Sequence, residues 1–162
     1  MEELLKELEE AKQKIAGIEK KIEEKKTETG RWKPKEGDKY WLINAAGWIC
    51  NSQWDDDDTD RERYLVGNCY PTEEECKFAR EKLKVIAELK EYAEPKSRAW
   101  NGENVRYHIY YNYDVEKVYI SWAQMAKQNE IYFESEEKAR QAIDAIGEQR
   151  IAKFYLGVDL NE

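Results

Sequence analysis

The densest cluster of chemically active side chains is an acidic run that follows Trp54. It comprises five aspartates: Asp55, Asp56, Asp57, Asp58 and Asp60. A calcium loop has oxygen ligands at alternate positions, glycine at the sixth and a bidentate glutamate at the twelfth. Counted from Asp56, the sixth position is Arg61, so the run lacks the calcium-loop pattern. We expect no resident metal. The run is then a solvated hairpin loop or an anionic finger that pairs with a basic surface, with an incidental magnesium site as the remaining alternative.

Aromatic residues accompany the acidic run. Tryptophan and tyrosine are enriched at the energetic centres of protein interfaces. We therefore predict a partner-binding site made of Trp48, Trp54, Asp55, Asp56, Asp57, Asp58 and Asp60. Further strand aromatics include Trp41, Tyr110, Tyr113 and Tyr119, which could stack the bases of single-stranded nucleic acid. Because no cluster of lysine and arginine accompanies them, we favour a core between repeats or a protein interface.

No arrangement of residues typical of catalysis is visible. The single histidine, His108, occupies an alternate position in an aromatic strand, which predicts a surface or a hydrogen-bonded sheet residue. The chain has no glycine-rich phosphate loop, H-E-x-x-H pair or G-x-S-x-G turn. Cys50, Cys69 and Cys76 form no C-x-x-C pair and predict reduced, mostly buried thiols. We therefore predict a protein that is not an enzyme and has no cofactor.

The elements that position these residues follow a pattern that occurs twice. Tyr70 corresponds to Phe133, and two residues later Thr72 corresponds to Ser135. Serine and threonine are preferred helix N-caps, and Thr72 with Glu75 fits a capping box. An amphipathic helix is predicted after each cap. Its apolar positions are Cys76, Ala79, Leu83, Ile86 and Leu89 in the first copy and Ala139, Ala142, Ile143, Ile146 and Phe154 in the second. Gly147 costs the second helix about 1 kcal/mol, which favours a break or kink there.

Short segments of alternating polarity predict three antiparallel strands before each helix. The first copy has strands at 39–44, 48–53 and 64–66, and the second at 106–111, 117–122 and 131–133. The predicted fold class is α+β: an N-terminal coiled-coil helix, then two tandem copies of a three-stranded antiparallel sheet plus one helix. The copies span 39–93 and 106–158, with linkers at 27–38 and 94–105. Because a unit of this size is marginal alone, we expect the two copies to pack together on a shared core.

Residues 1–26 repeat apolar residues at heptad spacing. The seam, which we assign to oligomerisation, includes Leu4, Leu8, Ile15, Ile18 and Ile22. Almost all other positions are Glu, Lys or Gln, as in a coiled coil with a solvated exterior. The segment predicts a homo-oligomer, and a single helix that folds back on the body is the alternative. An isolated helix of this length is only marginally stable in water, so its seam needs a partner.

Composition limits the partners and the compartment. The formal net charge is -8, which disfavours a general attraction to nucleic acid or anionic lipid. No apolar run approaches the roughly 18 residues that span a bilayer, and the acidic N-terminus is unlike a signal peptide. We therefore predict a cytoplasmic protein without membrane contact.

Three motifs resemble small phage and prophage accessory proteins. They are W-x-P-x-x-G-x-x-Y-x-x-I at 32–43, G-N-x-Y-x-T-x-E-E at 67–75, and Y-F-x-S-E-E-x-A-x-x-A-I-x-x-I-G-E at 132–148. The aromatic-x-T/S-x-E-E phrase is also similar to arm-type DNA-binding domains of phage tyrosine recombinases. The resemblance covers most of the chain after Arg31, and its motifs are caps and apolar stripes, with no catalytic residue.

Many acidic accessory proteins of this size inhibit host defences, anti-CRISPR proteins among them. The resemblance therefore implies a non-enzymatic phage-encoded binding protein that inhibits a host defence complex, such as a CRISPR nuclease, by protein–protein contact. Two alternatives stay open: a nucleic-acid-binding accessory protein that uses its sheet faces, and a virion or assembly component.

Overall fold

The computed structural model describes Lys12, Lys14, Ile15 and residues 31–93, 104–124 and 131–158. The chain forms two compact units, Met1–Cys76 (unit 1) and Lys77–Glu162 (unit 2). The elements of the described part, in chain order, are β1 (Lys39–Ile43), β2 (Ile49–Gln53), α1 (Asp58–Leu65), α2 (Glu73–Tyr92), β3 (Arg106–Asn112), β4 (Lys117–Ala123), α3 (Glu136–Ile146), α4 (Glu148–Arg150) and a π-helical turn (Ile151–Tyr155). None of the described helices is long and apolar enough to cross a membrane.

Unit 1 is built on an antiparallel hairpin of β1 and β2, in which Tyr40 lies opposite Ser52 and Leu42 opposite Cys50. Tyr40 and Leu42 are buried, as their predicted shared face requires. Asn44 closes the turn, since its side-chain oxygen accepts hydrogen bonds from the Ala46 and Trp48 amides, each at 3.0 Å.

The predicted third strand of the first copy is wrong. The segment 64–66 is the end of α1 and its C-cap. The third position beside β1 is instead occupied by two single residues. Tyr70 forms an isolated bridge with Trp41. The Asn68 side chain accepts from the Ile43 amide at 2.8 Å and donates to the Ile43 carbonyl at 2.7 Å, so an amide side chain replaces a strand residue.

Unit 2 contains a longer antiparallel hairpin, in which all seven residues of β3 pair with β4 from Arg106–Ala123 to Asn112–Lys117. The predicted third strand at 131–133 is wrong here too, because Phe133 alone forms a bridge, with Tyr107. Both sheets therefore have two strands rather than three. In both copies the N-cap follows two residues after the bridging aromatic, so the chain turns into a helix directly after the bridge. In the first copy the predicted strand 64–66 is also already part of α1 and its C-cap.

Both predicted helices and both predicted N-caps are present, but of the capping box predicted for Thr72 and Glu75 only the Thr72 half is formed among the described residues. Thr72 Oγ1 accepts from the Glu75 amide at 3.2 Å, and Ser135 Oγ accepts from the Lys138 amide at 3.2 Å. The break at Gly147 is confirmed: α3 ends there with φ 95°, and α4 begins at the next residue. A left-handed φ of this kind favours glycine, because other residues meet a steric penalty from Cβ.

Each unit has its own cluster of buried apolar side chains. In unit 1 it consists of Tyr40, Leu42, Trp54 and Cys69. In unit 2 it consists of Val85, Leu89, Ile109, Ile131, Phe133, Ala139, Ala142, Ile146 and Ile151. Leu83, which we predicted on the apolar stripe, is 57% exposed. The predicted packing of the two copies on a shared core stays a prediction.

The predicted coiled-coil helix at 1–26 lies outside the described residues, apart from Lys12, Lys14 and Ile15. These three are helical and exposed, and Ile15 is 56% exposed. The described part of the chain thus contains no N-terminal coiled-coil helix, which corrects that component of the predicted fold. The other predicted seam residues, Leu4, Leu8, Ile18 and Ile22, lie outside the described residues.

Candidate protein-interaction site

The acidic run forms the N-terminal end of α1, so the expectation of a hairpin loop through Asp60 is wrong. Asp57 is the N-cap, and its Oδ1 accepts a hydrogen bond from the Asp60 amide at 2.7 Å. Asp58 and Asp60 occupy the first turn, where the helix dipole favours negative charge. The spacing Asp57-x-x-Asp60 resembles a capping box and is the signal in the sequence that predicts a helix start here.

Asp60 is a buried structural residue with only 3% of its surface exposed. Its carboxylate accepts hydrogen bonds from the Tyr40 hydroxyl at 2.6 Å and from the Asp55 amide at 2.8 Å. Arg63 donates to the same Tyr40 hydroxyl at 2.8 Å and lies 3.7 Å from the Asp60 carboxylate. Burial, with the hydrogen bond to Asp60, raises the pKa of Tyr40. This network fixes α1 to strand β1.

Trp54 is a core residue and not an exposed anchor, since 2% of it is exposed. Its ring lies edge-on between Tyr40 and Tyr64, at centroid distances of 6.0 and 6.3 Å. The backbone of Trp54 pairs with that of Asp38, because the Trp54 amide donates to the Asp38 carbonyl at 2.8 Å. The buried Trp54 therefore anchors the residue before the acidic run in the core of unit 1.

The remaining aspartates of the run are exposed, and Arg61 neutralises part of their charge. Arg61 lies 3.2 Å from the Asp56 carboxylate and 3.4 Å from that of Asp58. Its hydrogen bond to Asp56 lowers the pKa of that carboxyl. Ion pairs as exposed as these contribute little to stability. The Asp58 side chain is fully exposed and is free to contact a partner as well.

Exposed apolar residues lie beside these carboxylates. Leu65 and Val66, at the end of α1, are 68% and 76% exposed. An open pocket of about 490 Å³ is lined, among the described residues, by Asp58, Thr59, Glu62, Arg63 and Val66. Positions 58, 62 and 66 are four residues apart and share one side of the helix. We call Asp58, Thr59, Glu62, Leu65 and Val66 the α1 face.

Sequence reasoning missed Leu65 and Val66, because it assigned them to a strand. It included Trp48, which is 67% exposed beside the β1–β2 turn. The extended strand β2 separates Trp48 from the acidic run, at roughly 3.4 Å per residue or about 20 Å in all. Of the predicted site, Asp55 to Asp58 lie together on the surface, Trp54 and Asp60 lie beneath it, and Trp48 lies at the far end of the hairpin.

The other residues considered from the sequence lie elsewhere. His108 is 6% exposed and its Nδ1 has no hydrogen-bond partner, so the expectation of a surface or hydrogen-bonded histidine is wrong. Its ring lies between Tyr110 and Tyr132, at 6.3 and 6.0 Å, and burial lowers its pKa. The three cysteines are free thiols, and burial raises the pKa of Cys69 to about 11.

The strand aromatics belong to two different hairpins, Trp41 to that of unit 1 and Tyr110, Tyr113 and Tyr119 to that of unit 2. Trp41 is half-buried, with the Lys39 ammonium 5.5 Å from its ring. Tyr110 and Tyr119 form a tilted pair at 6.2 Å, and Tyr113 is 74% exposed at the β3–β4 turn. Within the described ranges, no group of three or more His, Cys, Asp or Glu side chains could hold a metal ion.

The fold and this site together define an α+β protein with two hairpin-and-helix units and an acidic, partly apolar helix face. No protein-family model, curated protein or solved structure matches the chain.

Proposed function

We propose that the protein is a non-enzymatic binding protein whose α1 face docks on a basic surface of a partner protein. One observation carries the proposal: the exposed Leu65 and Val66 lie on the same short helix as the exposed carboxylates of Asp58 and Glu62. Apolar side chains rimmed by charge are the usual composition of a protein interface, in which the apolar centre is desolvated and the polar rim stays hydrated.

The charge of the chain supports a basic partner. A formal net charge of -8 steers a positively charged protein toward the molecule before contact. The carboxylates of the α1 face then select register and orientation, since complementary charge contributes more to specificity and association rate than to affinity. Leu65 and Val66 supply the apolar surface that is buried when the α1 face contacts its partner.

The resemblance to phage accessory proteins suggests the class of partner. A nuclease that loads nucleic acid has a basic channel, and an acidic protein that occupies this channel excludes the nucleic acid. We therefore propose a host defence complex, such as a CRISPR nuclease, as the partner, and the host cytoplasm as the place of action. This proposal keeps the anionic-finger interpretation of the acidic run, with α1 in place of a loop.

The test is phage plaquing on a host with an active CRISPR system, with and without expression of the full chain. The α1-face variant carries Asp58→Lys and Glu62→Lys. The matched control carries Glu137→Lys and Asp144→Lys, two exposed carboxylates of α3 in unit 2 with the same change in net charge. We expect the wild type and the control to restore plaquing by several orders of magnitude and the α1-face variant to lose this effect.

Equal activity of the two variants would reject the α1 face as the contact surface. If the wild-type protein restores plaquing against none of a panel of CRISPR systems, that class of partner is rejected. In that case, binding to single-stranded DNA that weakens steeply with salt would favour the nucleic-acid-binding alternative.

A further inference from the structure

The outer edge of β4 presents backbone groups away from its own sheet. Tyr107 and Phe133 exchange both of their backbone hydrogen bonds, at 3.0 and 2.8 Å, so the Tyr107 groups point away from β4. In an antiparallel ladder the residue opposite such a position also points outward. Trp122 lies opposite Tyr107, and Ile120 and Val118 follow at alternate positions, so all three direct N–H and C=O groups to the free edge.

One hydrogen bond confirms this direction. The Val118 amide donates to Glu148 Oε1 at 2.8 Å, outside the ladder. Glu148 therefore covers the first donor of the edge. Within the described part of the chain, the outward backbone groups of Ile120 and Trp122 have no hydrogen-bond partner. A pair of adjacent outward positions is thus open for a further strand.

The side chains of this edge favour strand pairing. The segment 118–122 contains no charged residue and no proline, which are the features that normally protect an edge strand. Tyr119 is 41% exposed and Trp122 is 63% exposed. Aromatic and β-branched residues at such an edge stabilise added strands through cross-strand pairs.

We propose that β4 pairs antiparallel with β4 of a second copy of this chain, with Ile120 at the two-fold axis. This register places Trp122 opposite Val118 of the second copy and Tyr119 opposite its Ser121. The register suits two copies of the same strand, because the only charged residue of β4, Lys117, lies opposite Ala123 of the second copy and no like charges meet. The result is a four-stranded sheet continuous through both copies.

The edge of β2 is a weaker candidate. By the same alternation, its outward positions are Ile49, Asn51 and Gln53. Asn51 and Gln53 are polar and exposed, and β2 is five residues long against seven for β4. A self-paired β2 would therefore bury little apolar surface.

Two electrostatic features modulate the proposed dimer. Glu148 competes for the Val118 amide, so its removal frees one more donor in each copy. Two copies with a net charge of -8 each repel one another at long range. Added salt screens this repulsion, and dimerisation should therefore tighten as salt rises. Docking of the α1 face on a basic partner has the opposite salt dependence.

The dimer is tested by analytical ultracentrifugation of the full chain. All samples carry Ile15→Lys and Ile22→Lys, which removes association through the heptad segment. Trp122→Lys should weaken dimerisation about tenfold, because each dimer loses the Trp122–Val118 pair twice. Trp48→Lys, at a similarly exposed tryptophan of the other hairpin, should leave it unchanged. Glu148→Ala should tighten the dimer, and Glu148→Gln, which keeps an acceptor for Val118, should not.

The register is tested by NMR on a mixture of labelled and unlabelled chains. Residues opposite each other at a non-hydrogen-bonded position have close Cα atoms, about 4.5 Å apart. We expect an intermolecular contact between the Hα atoms of Tyr119 and Ser121. A monomeric chain, an unchanged dissociation constant for Trp122→Lys, or a dimer without this contact would overturn the proposal. The double variant Asp58→Lys/Glu62→Lys should dimerise as the wild type does. Failure of the dimer proposal is therefore distinguishable from failure of the proposed function.

Discussion

The two units contain the same chain pattern and stabilise it in different ways. Each has a hairpin and one bridging aromatic (Tyr70 or Phe133), which is followed two residues later by a helix N-cap (Thr72 or Ser135). In unit 1 the helix α1 intervenes between hairpin and bridge, and a hydrogen-bonded network around Asp60 holds it. In unit 2 apolar side chains form most of the interior. The same local pattern of hairpin, bridge and cap is thus compatible with a buried hydrogen-bonded network and with a larger apolar cluster.

The units also differ in how their buried polar groups are satisfied. Asp60 of unit 1 has its hydrogen bonds within the unit. Among the described residues, the buried side-chain atoms without a partner are Arg80 Nε and His108 Nδ1, both in unit 2. A buried polar group without a partner costs free energy, about 1–3 kcal/mol. In unit 2 the larger cluster of buried apolar side chains offsets this cost.

The largest expected effect is the difference in stability between alanine variants of the two bridging aromatics. Phe133 is 1% exposed within the apolar cluster, so Phe133→Ala should lower the free energy of unfolding by about 4 kcal/mol. Tyr70 occupies the corresponding position but is only half-buried, so Tyr70→Ala should cost about half as much. Urea denaturation of both variants measures the difference. Equal losses would contradict the difference in burial between the two bridging aromatics.

A second comparison lies within the acidic run. Asp60→Ala should lower the free energy of unfolding by about 3 kcal/mol, because the Tyr40 hydroxyl and the Asp55 amide lose their buried acceptor. Asp58→Ala is the matched control and should change it by less than about 0.5 kcal/mol, since its side chain is fully exposed. Tryptophan fluorescence follows the transition through Trp54. If the two variants were equally stable, the Asp60 network would have no structural role.

The smallest expected effect is a pH dependence from unit 2. Burial lowers the pKa of His108 from 6.5, so in the window below pH 6.5 the unfolded chain binds more protons than the folded chain. Stability should therefore fall as pH decreases through this window, by at most about 1.4 kcal/mol per pH unit. His108→Gln should remove this slope. Since the chain has one histidine, a single imidazole resonance reports the folded pKa by NMR; a value at or above 6.5 would refute the prediction.

Local signals in the sequence were sufficient for part of the fold. The caps at Thr72 and Ser135, both hairpins and the break at Gly147 depend on residues within a few positions of one another. Those predictions are confirmed because capping and turn geometry act over short range.

The remaining features depend on distant residues. Whether Asp60 is buried is decided by Tyr40, twenty positions earlier, whose hydroxyl supplies the donor. The side chain of Asn68 replaces a strand residue only because the backbone of Ile43, 25 positions away, meets it. The exposure of Leu65 and Val66 follows from α1, which hydrophobic alternation misread as a strand. The sequence therefore indicated the location of the acidic surface, but not its apolar part or its buried support.

The positive φ at Gly147 has a consequence for two different elements. The change of direction after Ile146 turns the next three residues out of the line of α3. Arg150 then forms a two-pronged ion pair with Glu88 of α2, at 2.9 and 3.0 Å, while Glu148 reaches the β4 edge. Because Glu148 and Arg150 are two residues apart within α4, they lie on nearly opposite sides of that helix, about 200° apart. The turn at Gly147 therefore places a short helix of which one side forms an ion pair with α2 and the other side accepts a hydrogen bond from β4. An insertion or deletion after Gly147 would rotate α4 and break both contacts.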